Sequence, residues 1–206
     1  MSLYHISKRV LDIFLSLLAI IAILPVWVVI VAAIRLSSKG GAIFKQQRAG
    51  KDGKPFVFYK FRTMRLDVDP FGPSPKSGED PRLTKIGKLL REYSLDELPQ
   101  LFNILMGDMS VVGPRPLYIT QMAEWNERQK KRLLVKPGLT GLAQISGRGE
   151  LTREEKLEFD VKYVEAASFW FDLKIILVTI SQVFRQKNIY EKSYSQNEYT
   201  RGDAKR

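Results

Sequence analysis

Ile13 to Ile34 is a run of 22 positions without a charged residue, and it limits the possible folds more than any other stretch of the chain. Its length matches the roughly 20 residues a helix needs to cross a bilayer. A cleaved leader does not fit, because its apolar core runs only about 7–15 residues before a small-residue cleavage site. Pro25 lies near the middle, where it removes a backbone hydrogen bond and bends the helix. Lys8 and Arg9 precede the run, and Arg35, Lys39, Lys45 and Arg48 follow it. A spanning helix would put one of these basic clusters on the wrong face of the membrane. A bent helix that enters and leaves by the same leaflet satisfies both, so the re-entrant form is favoured over a simple span.

The 206 residues are enough for one ordinary domain. A net charge of +11 attracts polyanions, whether anionic lipid, phosphorylated metabolites or nucleic acid. No cysteine is present, which excludes disulfides, thiolate zinc sites and a cysteine nucleophile. The single histidine, His5, lies outside the expected core, so a Ser-His-Asp triad is not available. Catalysis, if any, falls to carboxylates, cations and a hard metal. The chain has no Walker-type GxxxxGK, GxGxxG, zinc-ligand pattern or nucleic-acid module, and nucleic acid is not an expected partner.

The rest of the chain reads as short elements. Ile43 to Met64 predicts extended pieces around a turn at Asp52-Gly53, with alternation from Phe56 to Arg62. Asp67 to Pro81 is rich in Pro, Gly, Asp and Ser and predicts a surface loop. Thr84 to Tyr93 fits an amphipathic helix, with Ile86, Leu89, Leu90 and Tyr93 on one face. Tyr118 to Leu134 predicts a charged, solvated helix, and Lys136 to Gly149 a glycine-rich loop. Phe169 to Phe184 predicts a helix, either in the core or anchored at headgroup depth by Phe169, Trp170 and Phe171. From Asn188 the polar tail is expected to be disordered.

The chemistry centres on Ser94-Leu95-Asp96-Glu97, which follows the cations Lys85, Lys88 and Arg91. Ser94 and Glu97 have the spacing of a capping box, which accounts for both acids structurally. The pair equally suits metal-assisted chemistry on a phosphorylated substrate: a carboxylate beside Arg91 stays ionised and nucleophilic, or holds magnesium. Lys60, Arg62 and Arg65 read either as one phosphate site or as a solvated strand edge. Arg115 stands between Pro114 and Pro116, which fix the backbone and so lower the entropy its guanidinium loses on gripping an anion. A structural salt bridge is the alternative for Arg115. Asp160 reads locally as a surface carboxylate.

Several long motifs, in one order, resemble the monotopic phosphoglycosyl transferases, the bacterial sugar transferase family. They are Lys8-Arg9 with Asp12, Phe58 to Met64, Ser94 to Asn103, Gly107 to Ser110, Val112 to Pro116 and Lys136 to Gln144. The resemblance runs from Lys8 to about Arg185, and the chain looks like the family's minimal catalytic unit without extra spanning helices.

The resemblance implies an α+β, mainly helical fold. Its parts are a re-entrant N-terminal membrane helix, amphipathic interfacial helices and a small β-hairpin region. Residues 1–36 would form the membrane helix, 37–187 a cytosolic catalytic domain and 188–206 the tail. The family's helix break lies near a Ser-Pro pair, for which this chain has Leu24-Pro25.

The implied reaction moves sugar 1-phosphate from a UDP-sugar to undecaprenyl phosphate, a polyprenyl phosphate, and releases UMP. It would occur at the cytoplasmic face of a bacterial inner membrane. Asp96 maps to the nucleophile, with Glu97 beside it, and Asp96 also helps hold Mg2+. By the same correspondence Lys60 and Arg91 neutralise phosphate, Arg115 sits in the uridine diphosphate site, and Asp160 maps to a further acidic active-site position; Arg62 joins these as a candidate substrate-binding residue from its place beside Lys60. UDP-sugar, polyprenyl phosphate and membrane lipid are the expected partners, and a homo-oligomer is compatible with the sequence. A non-catalytic basic membrane adaptor and a metal-dependent phosphohydrolase are the competing functions.

Overall fold

The computed structural model describes residues 3–69 and 75–185. The expected disordered tail lies outside them, as do residues 70–74 of the expected loop. The N-terminal segment is one 35-residue helix, α1 (Leu3–Ser37), which continues through Pro25. Asp12, Ser16, Ile20, Ile23, Trp27, Ile30 and Ile34 recur every three or four residues and form its packed face. The other face, including Val10, Phe14, Leu17, Ile21, Leu24 and Val28, is exposed and apolar.

Both ends of α1 are fastened to the same body. Near its start, Lys8 Nζ lies 2.6 Å from Asp172 Oδ2 and donates to the Val112 carbonyl, while Arg9 donates to the carbonyls of Ile104 and Leu105. Near its end, Ile30 and Ile34 enter a core with Phe61 and Leu90. Between these, Ala19, Ile20 and Ile23 pack on Phe58, Leu101, Ile104 and Met109.

The expected hairpin is present as β1 (Ile43–Ala49) and β2 (Pro55–Phe61), antiparallel with Ile43 opposite Phe61. Asp52 and Gly53 turn the chain at positive φ. Phe58 and Phe61 enter two different cores, so β2 is covered on both faces and loses simple alternation. Helix α2 (Lys85–Glu92) starts at Thr84, whose hydroxyl caps the Gly87 amide. Its Leu90 is buried, but Leu89 and Tyr93 are half exposed rather than sharing a covered face. Helix α3 (Gln100–Met106) is locked to the β2 edge by Asn103, whose amide donates to Val57 O and accepts from Tyr59 N.

Two sequence expectations are corrected. Tyr118 to Leu134 is not one helix: 3-10 turns at Ile119–Glu124 and Lys131–Leu134 flank a single turn, α4 (Glu127–Lys130). Trp125 is extended, and Asn126 caps a new start, so the chain leaves and re-enters helical backbone there. Nor is Lys136 to Gly149 only a loop. It holds β4 (Gly138–Thr140), parallel to β3 (Ser110–Val112), and then α5 (Leu142–Ser146). Close strand approach requires Gly113, where a methyl group would overlap the Lys136 carbonyl. Helices α6 (Arg153–Ala166) and α7 (Phe169–Arg185) complete the body. Helix α7 buries Asp172 and Ile175 and exposes Trp170, Leu177 and Ile180.

Candidate active site

The acid pair stands on a 3-10 turn, Leu95–Glu97, between α2 and α3. The expected capping box does not form. Ser94 is left-handed (φ 56°), its side chain caps nothing, and its hydroxyl instead accepts from Arg148 Nη2 at 2.9 Å. With the box absent, both carboxylates face a cavity of about 420 Å³ lined by Lys60, Arg91, Arg115, Arg132, Arg148 and Asp160 among others.

The two acids differ in their partners. Glu97 Oε1 accepts from Lys60 Nζ at 3.0 Å and from Arg115 Nη2 at 2.7 Å. Asp96 is 5% exposed and accepts no hydrogen bond among the described residues; Lys60 Nζ stands 3.6 Å from its Oδ2. Burial pushes the Asp96 carboxyl above its usual range, and Lys60 only partly opposes this. Burial also acts on Glu97, but Arg115 and Lys60 outweigh it and hold that carboxyl well below its usual range. The site therefore contains one carboxylate clamped between cations and a second with free oxygen lone pairs.

Lys60 comes from β2, and Arg115 from the rigid segment between two prolines. Arg91, in the last turn of α2, donates from Nε to Thr63 Oγ1 at 3.0 Å. Asp160 on α6 is 3% exposed, so it is not the surface carboxylate its local sequence suggested. Its Oδ2 accepts from Arg132 Nε and Nη2 at 3.0 and 2.7 Å, and Arg132 Nη2 also donates to the Arg115 carbonyl. Burial pushes Asp160 above its usual range despite Arg132.

Arg62 also lines the cavity, but its guanidinium turns to Ser38 and to the Lys39 carbonyl, where it holds the chain leaving α1. Arg65 pairs with exposed Asp67. Of Lys60 on β2 and the two arginines that follow the strand, Lys60 alone reaches the acid pair. Sequence reasoning missed Arg148, Arg132 and Thr63. Gly147-Arg148-Gly149 was the available signal for Arg148, which adopts φ 53°.

Among the described residues no three His, Cys, Asp or Glu side chains gather as a metal cage. The donor set still fits magnesium, which keeps several waters and takes one or two carboxylates together with substrate phosphates. Asp96 would supply the protein oxygen, since the Glu97 oxygens are occupied by cations.

The family model for bacterial sugar transferases matches residues 3–186. The galactosyl transferase CpsE of Streptococcus agalactiae is 44% identical over 190 residues, covering 86% of this chain and 42% of the relative. A UDP-glucose:undecaprenyl-phosphate glucose-1-phosphate transferase of Klebsiella pneumoniae is 44% identical over 193 residues, covering 90% and 42%. This chain thus spans about two fifths of both. The uncharacterised sugar transferase EpsL of Bacillus subtilis is 42% identical over 189 residues and is covered over 93% of its own length.

Proposed function

This chain belongs to the bacterial sugar transferase family, and from that premise we propose that it is a phosphoglycosyl transferase that moves sugar 1-phosphate from a UDP-sugar to undecaprenyl phosphate, with Asp96 as nucleophile. The observation that carries this reading is the unequal treatment of the two acids. Glu97 fixes Lys60 and Arg115 by hydrogen bonds, while Asp96, ion-paired with Lys60 at 3.6 Å, accepts no hydrogen bond among the described residues in a cavity lined by cations.

An Asp96 oxygen bonds to the phosphorus bearing the sugar, and the bond from that phosphorus to the bridging oxygen breaks. UMP leaves with that oxygen. An oxygen of the lipid phosphate then attacks the same phosphorus, releases the carboxylate and gives a lipid diphosphosugar. Lys60, Arg115 and Arg91 offset phosphate charge, and Arg148 is placed to add to them. Magnesium bound at Asp96 would supply further charge neutralisation. The lipid phosphate is ionised at neutral pH, so little base catalysis is needed.

The same reading seats α1 in one leaflet. The body packs against α1 along its length, from Lys8 through Ala19, Ile20 and Ile23 to Ile30 and Ile34, so a span would draw that body into the hydrocarbon. The exposed apolar face of α1, with Trp170, Leu177 and Ile180 of α7, then meets lipid. On this reading α1 is the membrane element, and the body from β1 to α7 is the catalytic domain on the cytoplasmic side.

The test is intact-protein mass spectrometry of the enzyme incubated with UDP-sugars and magnesium but no acceptor. A sugar-phosphate adduct on Asp96, discharged by undecaprenyl phosphate, is expected. An unmodified peptide while lipid product still forms would overturn the nucleophile assignment. Release of free sugar phosphate without acceptor would indicate a phosphohydrolase instead.

A further inference from the structure

At the end of α3 away from the acid pair, Gly107 closes the helix in left-handed backbone, with φ 94°. Two cations face the notch left by its missing side chain. A Cβ on Gly107 would stand 3.5 Å from Arg9 Nη2 and 3.5 Å from Lys136 Nζ. Arg9 is fixed there, with Nη1 and Nη2 donating to the carbonyls of Ile104 and Leu105 at 2.6 and 2.8 Å. Lys136 is half buried, and among the described residues its ammonium has no hydrogen bond and no ion pair. Burial, and then Arg9, push its pKa down, and the carboxylates of Asp12 and Asp108, neither of them hydrogen-bonded to it, only partly oppose this. A partly desolvated ammonium beside a second cation, with three unused donor hydrogens, calls for an anion.

The surroundings indicate which anion. Val10 and Met106, the chain neighbours of Arg9 and Gly107, are exposed, and so is Leu134, two residues before Lys136. Cations that emerge through an apolar rim suit a phosphate carried on acyl chains better than one free in water. The seven residues of α3 put about 10 Å of helix between this notch and the acid-pair turn, so it is separate from the diphosphate cavity.

We infer that Arg9 and Lys136, over the notch at Gly107, bind the phosphate of a membrane phospholipid and so fix the depth at which α1 sits. This rests on the reading that α1 lies in one leaflet. The alternative role for Lys136 is purely structural, complementing the C-terminal dipole of α3.

The experiment uses the full chain in neutral detergent, read by thermal shift and native mass spectrometry, with Lys136→Met and Lys136→Gln as variants. The probes are phosphatidylglycerol, a diacylglycerol with the same chains, and inorganic phosphate. Phosphatidylglycerol should raise the unfolding midpoint of the wild type and bind each variant about tenfold more weakly, while diacylglycerol should do neither. Competition by inorganic phosphate would support the site and show that free phosphate shares it; no competition would support lipid as the only source. Equal phosphatidylglycerol binding by wild type and variants, or a lowered midpoint of both variants without lipid, would overturn the inference. UMP release by the same preparations is read separately. A wild type that makes no UMP would sink the transferase reading and leave the lipid readout standing.

Discussion

Arg115 grips Glu97 and not Asp96: its Nη2 lies 2.7 Å from Glu97 Oε1 and its Nη1 3.4 Å from Oε2. Lys60 makes the same choice, at 3.0 Å from Glu97 against 3.6 Å from Asp96. The neighbouring charge on Glu97 is one of the causes that raise the Asp96 carboxyl, after burial. Attack requires ionised Asp96, so the acid limb of kcat/KM should lie above the ordinary aspartate value of about 4. Glu97→Gln removes that negative charge and frees two cations, so the limb should move to lower pH. The plateau should fall about 10- to 100-fold as Lys60 and Arg115 lose their orientation. Profiles of UMP release from about pH 4 to 9 check both; a limb that does not move with Glu97→Gln would contradict this electrostatic account.

Asp96→Asn should separate stability from activity. The folded-state pKa of Asp96 is raised, so at neutral pH its buried charge opposes folding, and this cost disappears as pH falls through that value. The neutral isostere should unfold at a higher temperature than wild type at neutral pH, with the gap closing toward acid. UMP release should fall by roughly a thousandfold or more. A variant that is less stable at every pH would show that Asp96 is a structural group.

Thr63 positions Arg91. Its hydroxyl accepts from Arg91 Nε at 3.0 Å, and its carbonyl accepts from the Thr84 amide that opens α2. Gly87 presses against the same carbonyl, so α2 is seated on Thr63 at both places. Thr63→Val should lower kcat/KM about tenfold, on the scale of one hydrogen bond to a charged group. Thr63→Ser should restore most of it, because the hydroxyl returns. Loss in both variants with a matching drop in melting temperature would assign Thr63 to packing alone.

How much of this was legible in the sequence depends on how local each cause is. The hairpin turn at Asp52-Gly53, the Thr84 start of α2 and the uncharged run of α1 are set by neighbouring residues, and the structure contains all three. Arg115 between its prolines stood out for the same reason. The capping box at Ser94 failed because Arg148, 54 residues away, takes the Ser94 hydroxyl, a contact that local spacing cannot encode. The segment from Tyr118 to Leu134 carried helical composition, yet burying Arg132 against Asp160 and Trp125 overrode propensity. Asp160 read as solvated because its partner, Arg132, lies 28 residues earlier on another element.

The Arg132–Asp160 pair gives the clearest energetic prediction. Both residues are 3% exposed, both bonds from Arg132 converge on Oδ2, and Asp160 Oδ1 is buried without a partner. Removing one member of a buried pair leaves an uncompensated charge and costs about 3–5 kcal/mol, whereas replacing both with apolar groups is often close to neutral. Arg132→Met should therefore destabilise strongly at neutral pH. Without Arg132, only the smaller effects of Arg115 and Lys156 oppose burial at Asp160, so its folded-state pKa rises further above the unfolded value and part of the loss should return as pH falls. Arg132→Met with Asp160→Leu should recover most of the stability. It should not recover donor binding, because the Arg115 carbonyl loses the Arg132 bond that helps set that arginine against Glu97. Denaturant melts at two pH values, with UMP affinity measured on the double variant, check this: recovered stability with weakened UMP binding is expected, and full affinity would show that the pair only supports the fold.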